Sequence, residues 1–560
     1  MDAEVKDLQC VDPSAVAGSW DHYVRGFLEG YFEEHPVFAA GSGRHELDGR
    51  LPDWSPEGIE REVAWLRTER RRIQEFDPAT LDDRRGLERE HLLAVVDADL
   101  FWIEDAEWHR RNPLFYAGPL DPNLYLTREY APLEQRMRAY VDYARAVPKA
   151  AEQARANLRT PMPRTHAELG KMSFTGLADY FESDVPAVFA PVEDPDLQAA
   201  FREANAEAAR AMRGLGCWFQ DQIAAASTDP RDFRLGADLY TRMLWETERV
   251  DVPLDELAEA GRRDLERNLL ALREACAAYA PGLSLEDCLA KVQARKPAGG
   301  PVEGARRQLA GLRRFVEESA LVSIPGQEEA RIEEAPPYQR WNSAFIDIPG
   351  PYDRHLPSVY YISPPDPSWT PEEQAEYVAN EADLLFVTAH EVWPGHFLQF
   401  LHSNRAASDP GRLFVTYGFA EGWAHYSEEM IWEAGFGQGD PFLHIGQLQN
   451  ALLRNVRYVV ALGLHTGAMT LEEAERLFRE KAFQDTANAR QQAARGTFDP
   501  AYLNYTLGKL MVRKLREDWT APRGGRAAWR EFHDQFLSYG GPPVPLVRKV
   551  MMGGAAGGLI

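Results

Sequence analysis

Cysteine is scarce in this chain. Only four occur among 560 residues, Cys10, Cys217, Cys276 and Cys288, with no close pair and no metal-ligand spacing. Such usage suits a reducing compartment. Long hydrophobic runs are missing too, since none approaches the roughly 20 residues that span a bilayer. The start, Met1-Asp-Ala-Glu-Val-Lys-Asp-Leu8, is acidic and has no cationic segment leading into an apolar core, so no secretory leader is expected. Together these absences predict a cytoplasmic protein with no membrane partner. Positive charge is in deficit: 62 Lys and Arg stand against 87 Asp and Glu, a net charge of −25. That balance disfavours nucleic acid and anionic surfaces as partners. Repeats and low-complexity tracts are also lacking, which excludes solenoid and disordered classes. Oligomeric state is not legible.

What is present is mostly helix. Residues 20–320 read as long helices with short breaks, over about 80–108, 125–158, 163–180, 194–226, 253–280 and 284–296, each rich in Ala, Leu, Glu and Arg. Ser55-Pro56 is a cap followed by proline at the first helical position. Around 323–366 the composition shifts to short β-prone runs, Ser343–Ile348 and Ser358–Ile362 among them, punctuated by prolines. A small, mostly antiparallel sheet is expected there, and an exposed edge would suit an extended peptide as well as a plain structural hairpin. Downstream, Thr470 and Asp499-Pro500 open further helices, and Gly463 and Gly508 are candidates for close helix approach.

The densest chemistry lies at Thr388-Ala-His390-Glu391-Val-Trp-Pro394-Gly395-His396 and at Phe419-Ala-Glu421-Gly-Trp-Ala-His425-Tyr-Ser-Glu428-Glu429. Two imidazoles and a carboxylate form a ligand set that Zn²⁺ prefers, with a fourth position left for water, and Glu391 beside the first His suits a general base. In the usual zinc helix the two His sit four apart on one face. Here they are six apart, about 240° round an undistorted helix, so both cannot reach one ion without a break. Pro394-Gly395 supplies the means for a bulge or a restarted helix. An ordinary helix end at Trp393, with His396 outside the site, is the plain alternative. Glu421, His425 and Glu428 fall at i, i+4 and i+7, one helical face. Glu421 is the favoured third ligand, with Glu428 on the same face as the alternative; otherwise Glu428 or His425 lies deeper, Glu428 placed to receive the other ring N–H of a ligating His.

These two segments, with Arg457-Tyr-Val-Val-Ala461-Leu-Gly463-Leu464-His465 and the opening Pro36–Asp48, resemble the domain of unknown function 885 family, placed among zinc-metallopeptidase-like proteins. The likeness runs over nearly the whole chain. It departs at Ala461, where members often carry Asp, and at Tyr502-Leu-Asn504-Tyr505, where a Pro-Gly-Gln-Ala-x-Ser-Tyr run is frequent. The resemblance implies a two-lobed, mainly helical zincin-like metallopeptidase fold, with a helical lobe at 1–322 and a metal-bearing lobe at 323–560. Within the second lobe the sheet takes 323–366, the metal helices 375–433 and the C-terminal helices 440–560. It implies one Zn²⁺ ion on His390, His396 and Glu421, with Tyr505 and His465 as candidate oxyanion donors. Arg457 or Arg495, near Tyr502, are candidates for binding the substrate's carboxylate. The expected activity is hydrolysis of amide bonds in short peptides, with exopeptidase-like cleavage from one end as its narrower form. A biosynthetic reaction on an amino-acid derivative at the same metal, and a non-catalytic binding protein on the same fold, are the rival readings.

Overall fold

The computed structural model describes residues 13–227, 229, 232–336, 340, 343–553 and 558–560. Cys10 and the first eight residues lie outside these. Helices begin where their capping chemistry stands. Ser55 accepts from the Gly58 N–H ahead of Pro56–Glu75, Asp82 from Arg85 ahead of Asp83–Leu100, and Asp194 from Asp196 and Leu197 ahead of Pro195–Ala224. The helix expected over 125–158 is two, Asn123–Thr127 and Leu133–Asn157. Pro132 explains the gap, because proline excludes the residue before it from helical dihedrals.

Three apolar clusters hold these helices. One gathers Trp20, Phe27 and Leu92 with Leu413 and Phe414. Another packs Leu133–Asn157 against Arg164–Phe189 and Pro195–Ala224. The largest draws on residues from 101 to 551 and contains the elements that frame the site: α1 (Ala237–Glu248), α2 (Leu254–Tyr279), β1 (Ala330–Glu334), β2 (Ala344–Asp347), β3 (Ser358–Ile362), α3 (Glu381–Glu391), α4 (His396–Ser403), α5 (Tyr417–Glu433), α6 (Pro441–Thr466), α7 (Thr486–Phe498) and α8 (Asn504–Thr520). The sheet is mixed, not mostly antiparallel. Its order is β1-β3-β2, with β2 antiparallel to β3 and β1 parallel to it. The neighbouring runs β2 and β3 make the antiparallel pair, whereas β1 joins the far side of β3, a choice no local spacing records.

Helices α5 and α8 touch backbone to backbone. A Cβ on Gly422 would lie 2.5 Å from Gly508 Cα, and one on Gly508 would lie 2.1 Å from Gly418 O, so both positions need glycine. Gly463 plays a different part from the expected one: its nearest neighbour is Met469, in the turn after its own helix, and not a partner helix.

The start of α5 is held from α1. The buried carboxylate of Glu248 accepts from the Gly418 N–H at 2.8 Å and from Asn504 at 3.3 Å, an arrangement a helix N-terminus favours. Burial nonetheless pushes the carboxyl up from 4.5 to about 7. The folded chain therefore holds this proton more tightly, and the stability it confers is full at low pH and lost as the pH rises through about 7. Glu248→Gln, neutral throughout, is expected to gain in melting temperature relative to the parent between roughly pH 5 and pH 8. A difference independent of pH would show that the buried charge is not felt.

Candidate metal centre

The six-residue spacing is resolved by ending one helix and starting another. Asn380 caps α3, accepting from the Ala382 and Asp383 N–H groups, and α3 stops at Glu391. His396 is the first residue of α4. In the intervening loop the Trp393–Pro394 bond is cis. The Gly395 N–H donates to Ala389 O at 2.9 Å, and Trp423 on α5 donates its indole N–H to Pro394 O at 2.9 Å. A Cβ on Gly395 would fall 1.7 Å from His390 O, so only glycine lets the chain fold back this tightly. The two histidines thus belong to different helices, and their angle round a single helix no longer separates them.

His390, His396 and Glu421 each offer a ligand atom within 4.8 Å of the others. Glu421 Oε2 lies 3.2 Å from His390 Nε2 and 3.3 Å from His396 Nε2, yet it is buried without a hydrogen bond. Buried carboxylate oxygens are rarely left so. On the far side of the ring, His390 Nδ1 sits 2.8 Å from Glu428 Oε1. Glu428 is fully buried, and Arg454 pairs with it at 3.2 Å. Burial raises the Glu428 carboxyl, but Arg454, His425 and His390 override it and hold it well below its ordinary range. An ionised carboxylate only accepts, so with a metal on Nε2 His390 would keep its proton on Nδ1, donated to Glu428. Burial and Arg454 push the His390 imidazolium down, while Glu421 and Glu428 win and raise it to about 9. The field at this point calls for positive charge, and the donor set fits a divalent metal ion.

Glu391 has no hydrogen bond or ion pair among the described residues, and burial raises its carboxyl despite the pull of the two histidines. Tyr505, on α8, stacks near His390 with ring centroids 6.3 Å apart. Its phenol is raised by burial and then by Glu421, so it keeps its proton at neutral pH. Arg457 lies over the Tyr505 ring at 5.2 Å. Arg495 donates to Asp499 at 2.9 Å and to the Tyr417 hydroxyl at 3.1 Å, and Tyr417 meets Tyr505 edge-on at 5.6 Å.

Two expected residues, His465 and Tyr502, stand apart from the cluster. His465 is not at the cluster: its Nε2 donates to Gly496 O at 2.8 Å, its Nδ1 faces the Leu235 N–H at 3.4 Å, and it packs between Phe233 and Tyr240. Both ring nitrogens are engaged by backbone, and burial lowers its pKa to about 4. Tyr502 is fully buried, with Arg495 over its ring at 5.8 Å, so it is a core residue and no wall of the cluster. His425 is buried 3.6 Å from Glu428 and hydrogen-bonds nothing, so it lies one layer behind the candidate ligands. The residue missed by sequence reasoning is Arg454. The signal for it existed, because a buried carboxylate at 428 demands a cation.

Glu428→Gln tests this layer. An amide cannot hold the Nδ1 proton as firmly, and loss of such a partner costs about 10–100-fold in metal affinity. We expect a weakened but measurable site by competition against a chelator. An unchanged affinity would show that the His390–Glu428 contact does not orient the ring.

Fold and cluster together define a mainly helical protein with a three-residue candidate metal site on adjoining helices. The chain belongs to the bacterial protein of unknown function family DUF885, whose model matches residues 36–551. Two solved structures, both described as putative lipoproteins, share the fold. The one from Shewanella oneidensis, of unknown function, is 23% identical, with a TM-score of 0.79 over 95% of this chain and 99% of its own. The one from Colwellia psychrerythraea is 17% identical, with a TM-score of 0.80 over 97% and 99%. The M32 carboxypeptidase from Deinococcus radiodurans R1, 12% identical over 96% and 95%, gives a TM-score of only 0.36. No curated protein matches. The lipoprotein descriptions overturn the expectation of a cytoplasmic protein. The physical reason is that few and unpaired cysteines do not fix a compartment: Cys276 and Cys288 are buried free thiols, inert wherever the chain resides. Among the described residues no helix is long and apolar enough to cross a membrane.

Proposed function

We propose that this protein is a zinc-dependent hydrolase of amide bonds in short peptides. The observation that carries the reading is the convergence of His390 Nε2, His396 Nε2 and Glu421 Oε2, with the carboxylate oxygen buried and free of hydrogen bonds. Two imidazoles and one carboxylate are the donor set of a catalytic zinc site, which keeps a position open, in contrast to the closed Cys-rich structural sites. Zinc held there would polarise the amide carbonyl and ease the loss of a proton from water. Glu391, unpaired and beside the ligands, takes that proton and returns it to the leaving amine. Tyr505 keeps its phenolic proton and donates to the oxyanion. Glu428 and Arg454 fix the tautomer and orientation of His390.

Metal analysis of the purified protein, joined to digestion of a peptide library, tests this. The expected result is one zinc per chain, with cleavage that a chelator removes and added zinc restores. Full cleavage by metal-free protein would overturn the reading.

A further inference from the structure

Three arginines approach Tyr505 or its neighbour Tyr417, and they differ in one respect. Arg454 is paired with Glu428, and Arg495 with Asp499. Arg457 has no carboxylate partner among the described residues. Its one hydrogen bond runs from Nε to Gln492 Oε1 at 2.8 Å, which fixes the plane of the guanidinium and leaves its two terminal amino groups without a protein acceptor. The side chain is only partly buried, so it can be reached from solvent. Burial, Arg495 and Arg454 all disfavour its charge. A partly buried arginine beside two other cations is costly unless an anion joins it. The ring it lies over, Tyr505, is also the ring stacked near the candidate ligand His390, so a single side chain separates the guanidinium from the cluster.

We infer that Arg457 binds a carboxylate of the substrate and thereby sets which amide reaches the cluster. This rests on the metal reading above. The planar fork suits a carboxylate in two parallel hydrogen bonds, with Gln492 as its brace. Arg495 does not take this part, because Asp499 already neutralises it.

Two zinc-seeking probes test it by calorimetry on zinc-loaded protein: succinic monohydroxamic acid, which carries a free carboxylate, and its amide. The acid is expected to bind at least about tenfold more tightly, the weight of one charge-assisted contact. Arg457→Met should erase that preference while zinc content stays full. Its melting temperature should not fall, because an unpaired charge is removed, and that outcome separates the role from a structural one. Arg457→Lys keeps the charge without the fork and should retain part of the preference. Equal binding of both probes by the parent protein overturns the inference and leaves the metal reading standing. Failure of both to bind overturns the two together. Competition of Ala-Gly and of Ala-Asp amide against the acid probe then tells a terminal from a side-chain carboxylate.

Discussion

His396→Ala is expected to lose zinc, with affinity falling by at least about tenfold, since losing a ligand exceeds the loss of a group that merely orients one. The measurement is zinc content after dialysis against a buffered free-metal series. His396 suits the test because its Nδ1 has no hydrogen-bond partner. The alanine also removes the Nε2 that lies 3.3 Å from Glu421 Oε2, so the metal-free variant should melt below the metal-free parent, and zinc content is the deciding readout. Full zinc in the variant would mean that the fold-back at Pro394-Gly395 does not serve the metal, and the whole reading of the spacing would fail with it.

Glu391→Gln should do the opposite. The side chain makes no hydrogen bond or ion pair among the described residues, so an isosteric amide leaves the metal in place while removing the proton acceptor. Turnover is expected to drop by roughly 10²-fold or more. Glu421→Gln should lose metal, because the oxygen shared by both Nε2 atoms loses its charge. A Glu391→Gln variant that keeps its turnover would remove Glu391 from the chemistry.

Much of this centre was legible before any coordinates. Proline and glycine carry their own backbone rules, so an insert between two histidines announces a break, and the observed restart at His396 follows from it. Periodicity puts Glu421 and Glu428 on one face of the helix and does not choose between them, whereas in the structure Glu421 faces both Nε2 atoms and Glu428 the Nδ1 of His390. What could not be read depended on burial and on distant partners. His465 looked reactive by type, but backbone at Leu235 and Gly496, 230 and 31 residues away, had already used its nitrogens. Arg454, Arg457 and Arg495 were indistinguishable as letters, and only their partners separate them. Nor could the mixed sheet be read, since strand order is a long-range choice that local propensity does not encode.

The bare contact between Gly422 and Gly508 bears on how this site can change. Glu421 precedes one glycine, and Tyr505 sits three residues before the other, on the two helices that meet there. Glycine is already the smallest residue, so the spacing between carboxylate and phenol sits at a floor and can move in one direction only. Any side chain at either position would wedge the helices apart, and displacements near 1 Å cost catalysis about 10²-fold. The crossing thus works as a ratchet against drift: an enzyme built on it could explore new substrates through its loops and arginines, but not by resizing the heart of the site.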